Sequence, residues 1–125
     1  MFFRCLTGLS LAGALFVSLA ASRVSAHAYP DSISPPDGAV VTQAPNEVRI
    51  QFTEGVELEF SRIDVNSTTG QKVSKGIVRR IAADTLAVDL LPLQPGSYTI
   101  QWRVLSVDTH ITEGVLRFTF KASRK

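Results

Sequence analysis

The chain has 125 residues, enough for one domain and too few for two. Lys and Arg number 13 against 11 Asp and Glu, but Arg4 and Arg23 precede His27 and no acid does, so from His27 onward the two signs balance at eleven each. A balanced domain has no electrostatic reason to seek nucleic acid or anionic lipid. The single Cys at position 5 and the single Met at position 1 leave the rest without thiolate or thioether, so a metal there must be held by nitrogen and oxygen.

The first stretch reads as a secretory signal. Met1–Arg4 forms a short n-region with one positive charge, and no residue from Cys5 to Ser22 is charged. Val24 and Ala26 then stand at the −3 and −1 positions that signal peptidase reads. Cleavage after Ala26 divides the chain into a signal peptide over residues 1–26 and a domain over residues 27–125 beginning His27-Ala28-Tyr29. An uncleaved anchor is the alternative, but the apolar run over Leu6–Ala21 is short for a span of roughly 20 residues. A lipoprotein is disfavoured because Cys5 precedes that run instead of closing it.

After His27 the pattern is alternation broken by turns. A short strand is expected around Ala28–Ile33, followed by the Ser34–Gly38 turn. Val48, Ile50 and Phe52 alternate with polar neighbours. Phe60 opens a run with Ile63 and Val65 that ends at the Asn66–Gly70 turn, and a strand follows around Lys72–Arg80. Leu86, Val88 and Leu90 alternate next. Across Ser97–Val107, Tyr98, Ile100, Trp102 and Val104 share one face; across Val115–Lys121, Leu116, Phe118 and Phe120 do. Seven short strands with Gly and Pro turns and no helical spacing outside the leader predict an all-β sandwich with Greek-key connections. Trp102, Tyr98, Phe118 and Phe120 fall on apolar faces and are expected in its core.

The chain has two histidines. His27 becomes the N-terminus on cleavage, and there it offers two nitrogens, the α-amine and ring Nδ1, which can close a chelate ring. His110 lies in Asp108-Thr109-His110, where residues two apart in an extended segment point to the same side. An amine, two imidazoles and a carboxylate suit the tetragonal preference of Cu(II), though Zn(II) takes the same ligand types. An Asp-x-His tripeptide is also common by chance, and the pattern alone leaves a metal-free module equally open.

Several segments resemble the CopC family of copper resistance proteins. They are His27-Ala28, Ser34-Pro35-Pro36-Asp37-Gly38-Ala39, Val48–Glu54, Pro95–Val104 and Ser106–Gly114, in that family's order and at similar distances. The block from Gly96 through Tyr98, Trp102, Arg103, Asp108 and His110 to Gly114 is the most specific. The resemblance implies a seven-stranded Ig-like Greek-key sandwich, periplasmic localisation, one Cu(II) ion and no enzymatic activity. It carries the ligand roles to His27, Asp108 and His110, and places Glu54 near the ion as an accessory group. It also implies hand-over to an inner-membrane copper protein of the CopD kind. Once the sandwich is built no large apolar stripe is left over in the sequence, so the carrier itself is expected to be a monomer. Two departures stand out. Ile111 occupies a position where the family often has proline, so the loop is expected to be less stiff. The stretch around Asn66–Lys75 lacks the methionines with which several members hold Cu(I), so no Cu(I) site is expected.

Two other functions fit parts of the pattern. An N-terminal amine and imidazole with a second histidine resemble the copper centre of lytic polysaccharide monooxygenases, yet those usually need a larger chain and a flat aromatic surface, and Asp108 would fill a position that oxygen chemistry needs open. A metal-free Ig-like structural module is the other. No Ser-His-Asp arrangement, phosphate loop or paired acid/base constellation supports a hydrolase.

Overall fold

The computed structural model describes residues 27–123 together with Gly13, so the expected leader over 1–26, Gly13 apart, and residues 124–125 lie outside the described residues. Among the described residues eight strands follow one another: β1 (Pro30–Ser34), β2 (Ala39–Val41), β3 (Glu47–Phe52), β4 (Val56–Ser67), β5 (Ser74–Ala82), β6 (Thr85–Leu90), β7 (Gly96–Ser106) and β8 (Ile111–Phe120). They form two four-stranded sheets ordered β1-β3-β6-β5 and β2-β8-β7-β4. This is the Ig-like sandwich, with β3, β6 and β5 in one layer and β4, β7 and β8 in the other.

The additional strand comes from the first one changing sheets. β1 pairs antiparallel with β3, whereas β2 runs parallel to β8. Pro35 and Pro36 carry no N–H for a ladder, which ends β1. The Asp37 carboxylate then accepts the Arg117 amide at 3.0 Å, and the Gly38 amide donates to the Arg117 carbonyl at 2.7 Å. Those two bonds dock the crossing segment on β8.

The core is the sum of the alternating faces. Val48, Ile50 and Phe52 of β3, Leu86 and Val88 of β6, and Tyr98, Ile100, Trp102 and Val104 of β7 are all buried. Trp102 pairs with Gly114 on β8, and a Cβ at Gly114 would lie 2.8 Å from the Trp102 ring. The indole therefore occupies the space that a side chain at position 114 would need. Tyr98 stacks on Phe118 with centroids 5.2 Å apart and donates its hydroxyl to the Gln94 carbonyl. That bond is the tyrosine corner of Ig-like sandwiches, pinning the loop that enters β7.

In β4 the phase changes. Glu57 pairs with Leu105 but Arg62 pairs with Arg103, so several residues of β4 oppose one of β7. Such a bulge bends the strand and resets which side chains face inward. Val56 is buried before it, Ser61 within it and Ile63 and Val65 after it, while Phe60 is 68% exposed. The Ser61 hydroxyl closes the gap by donating to the Glu57 carbonyl at 2.7 Å and accepting the Leu105 amide at 3.2 Å.

Candidate metal centre

Strand direction brings the two histidine-bearing regions together. β1 begins where β3 ends, with Pro30 opposite Phe52, and β4 begins where β7 ends, with Val56 opposite Ser106. Only residues 53–55 separate β3 from β4. The segment before β1, this short connection and the β7–β8 turn therefore share one end of the sandwich.

Hydrogen bonds stitch the three segments. Thr53 Oγ1 donates to the His27 carbonyl at 3.1 Å and accepts the Tyr29 amide at 3.0 Å. The Thr53 amide donates to the Tyr29 carbonyl at 2.8 Å. On the other side Thr112 Oγ1 donates to the carbonyl of the fully buried Ala28 at 2.5 Å. The Val107 amide donates to the Gly55 carbonyl at 3.0 Å, and a side chain at Gly55 would crowd Val107 Cγ1 at 3.1 Å. His27 is thus tied to the residue before Glu54, and Ala28 to a residue just after His110.

The β7–β8 turn is tight. The Ser106 amide donates to the His110 carbonyl at 2.8 Å, and the Thr109 amide to the Ser106 carbonyl at 2.9 Å. Thr109 takes a positive φ of 71° to make this turn, a conformation that costs a β-branched residue energy. The Ser106 hydroxyl donates to Asp108 Oδ1 and accepts the His110 amide at 3.1 Å.

Four side chains meet at this end. The His27 and His110 rings lie edge to face with centroids 4.8 Å apart, and Tyr29 packs edge-on to His27 at 6.2 Å. Asp108 Oδ1 lies 3.3 Å from His110 Nδ1. The Ser106 hydroxyl is the main cause holding the Asp108 carboxyl below the ordinary carboxylate range; removal from water opposes it, and His110 and a hydrogen bond with Glu54 add to it. Glu54 Oε1 is buried, and no hydrogen-bond donor reaches it among the described residues.

The donor set fits a metal ion that accepts nitrogen and oxygen: imidazoles, a carboxylate poised in its charged form, and a second carboxyl with a buried oxygen lacking a donor. In this arrangement, however, no group of three or more His, Cys, Asp or Glu among the described residues is set to hold a metal. In the full-length chain the His27 nitrogen belongs to the peptide bond with Ala26, and an amide is not the amine that the sequence reading requires. Ser106, Asp108 and His110 do not form a hydrolytic triad. The serine hydroxyl is 1% exposed as part of a buried residue and is directed at the carboxylate, and it meets the histidine backbone instead of the ring.

The structure brings together all four residues singled out in the sequence. Sequence reasoning missed the hydroxyl residues around them, Thr53, Ser106 and Thr112, and the neighbouring ring of Tyr29. Thr53, Ser106 and Thr112 lie inside the family-like segments Val48–Glu54 and Ser106–Gly114, but nothing in their type or spacing marked a role.

Comparison with known proteins agrees with this architecture. The family described as CopC domain matches residues 31–121. Protein YobA of Escherichia coli strain K12 is 36% identical over 110 residues, covering 86% of this chain and 89% of that protein. The crystal structure of CopC from Methylosinus trichosporium OB3b superposes with a TM-score of 0.70 at 33% identity, covering 79% of this chain and 98% of that one. PcoC from Escherichia coli, described as a methionine-rich copper resistance protein, superposes with a TM-score of 0.69 at 28% identity, covering 77% of this chain and all of that one. Among the described residues no helix is long and apolar enough to cross a membrane. With the family match spanning most of the domain and relatives aligned over nearly their whole length, the chain belongs to the CopC family.

Proposed function

We propose that the chain is exported to the periplasm, cut after Ala26, and there binds one Cu(II) ion as a carrier or sequestering protein in copper resistance. His27 would supply its new α-amine and ring Nδ1, Asp108 a carboxylate oxygen and His110 a ring nitrogen. Glu54, against Asp108, would act as an accessory group that balances charge around the ion. The observation that carries this reading is the 4.8 Å approach of the His27 and His110 rings, with Asp108 3.3 Å from His110 Nδ1. Membership of a family that includes copper resistance proteins supports copper as the cargo.

Cu(II) suits these ligands because it prefers nitrogen and oxygen donors in a tetragonal set and binds more tightly than the other divalent first-row ions. Cu(I) favours soft sulfur, and the one methionine and one cysteine, Met1 and Cys5, leave with the leader. A carrier accounts for the site better than an oxidase does, since Asp108 takes a position that oxygen would need. Release goes to an inner-membrane copper protein of the CopD kind, with the carrier acting as a monomer. Because amine and imidazole ligands bind only after losing a proton, acid favours release.

Electron paramagnetic resonance of the copper-loaded form beginning at His27 tests the ligand set. Three nitrogens and one oxygen around a single Cu(II) are expected, with one nitrogen lost in His110→Ala. A spectrum unchanged in His110→Ala, or no uptake of Cu(II) by the cleaved form, contradicts the reading.

A further inference from the structure

We infer that Ser106 is a positioning residue for this site: its hydroxyl sets the Asp108 carboxylate and the His110 backbone relative to each other. The inference rests on the Cu(II) reading above. One oxygen makes both bonds, donating to Asp108 Oδ1 and accepting the His110 amide at 3.1 Å. A single atom thereby ties the carboxylate of one assigned ligand to the backbone of the other. Ser106 is 1% exposed, so the hydroxyl itself is shielded from water.

The turn does not need this hydroxyl to close. The Ser106 amide to the His110 carbonyl and the Thr109 amide to the Ser106 carbonyl already close it through the backbone. The side-chain bonds are additional, and their partners are the two residues that face His27 and Glu54. Without the hydroxyl, Asp108 Oδ1 would keep His110 Nδ1, 3.3 Å away, as its neighbour. A carboxylate free to turn toward that ring competes with copper for it. Groups behind a metal ligand commonly act in this way, orienting the ligand and holding its charge.

The test compares Cu(II) affinity, by competition against a chelator, with the paramagnetic resonance spectrum, in forms beginning at His27. Ser106→Ala is expected to weaken binding about 10- to 100-fold, the usual cost of losing such a group, and to shift the copper hyperfine coupling. Ser106→Thr keeps the hydroxyl and is expected to recover most of the loss. In an Asp108→Ala background, Ser106→Ala should add a smaller further loss than it causes alone, because the part that runs through Asp108 is already gone and coupled contacts are not additive. Wild-type affinity and spectrum in Ser106→Ala, or an undiminished further loss in the Asp108→Ala background, overturns the inference while leaving the copper reading intact. Failure of the unmutated chain to take up Cu(II) overturns both. If Ser106→Ala does not fold by Trp102 fluorescence, Ser106→Thr and Ser106→Val make the same comparison, being alike in shape and differing in the hydroxyl. Thr must then bind more tightly than Val by the same factor, and equal affinities overturn the inference.

Discussion

Thr53 Oγ1 donates to the His27 carbonyl at 3.1 Å while accepting the Tyr29 amide at 3.0 Å. One side chain just past β3 thus sets where the His27–Tyr29 segment lies relative to the β7–β8 turn. The two bonds lie at the surface, where each contributes about 0.5–1 kcal/mol net. Thr53→Val keeps the shape and removes both. Copper affinity should fall by up to roughly 5- to 30-fold, at about 1.4 kcal/mol per tenfold, and any part of the loss not seen in affinity should appear as a lower melting temperature of the copper-free protein, at about 4–8 °C per kcal/mol. A competition titration and a thermal melt measure the two effects. An unchanged affinity would mean that the position of His27 does not depend on this anchor.

Gly114 predicts a stability effect of opposite sign to the usual one. Alanine in a strand ordinarily improves on glycine. Here its Cβ would lie 2.8 Å from Trp102 Cζ2 and 2.9 Å from Cε2, and a ring clasped in the core cannot swing aside. Gly114→Ala should therefore destabilise by about 1–3 kcal/mol, the typical cost of overpacking. Urea unfolding followed by Trp102 fluorescence measures it.

Asp84 gives a pH dependence away from the candidate site. Its carboxylate accepts Thr85 Oγ1 at 2.8 Å and Gln51 Nε2 at 3.3 Å, and these bonds, Thr85 first, hold its pKa below the ordinary value. A lowered folded-state pKa means that the unfolded chain takes up the proton first as pH falls. The contribution is fully present above the ordinary Asp value of about 3.9 and is lost as pH falls through the lower folded value. Asp84→Asn should thus lose stability relative to wild type at pH 6, with the gap closing by about pH 2. Denaturant melts of both proteins across that range give the result, and a gap that persists in acid would assign the loss to packing.

Much of the fold was legible because burial follows parity. Val48, Ile50, Phe52 and the row from Tyr98 to Val104 alternate and are buried as expected. The misses have local causes. β2 has three residues, too few to show a period, and depends on bonds to Arg117 that only the folded chain supplies. β4 begins at Val56, ahead of the expected Phe60, because its bulge reverses parity between the two ends. β8 begins at Ile111, ahead of Val115, because Ile111 is exposed and Gly114 leaves a gap in the apolar face that Trp102 fills. At the candidate site, His27, Glu54, Asp108 and His110 could be named from type and spacing. The hydroxyls of Thr53, Ser106 and Thr112 could not, since short hydroxyl side chains find local partners in many conformations.

The chelate at the new N-terminus is tested most directly by adding one alanine before His27. The added residue turns the proposed amine ligand into an amide and leaves the side chains of His27, Asp108 and His110 in place. The account predicts a loss of Cu(II) affinity at neutral pH, since the amide ligates only if copper displaces its proton, and a changed resonance spectrum. Equal affinity and an identical spectrum in the extended and unextended forms would contradict it.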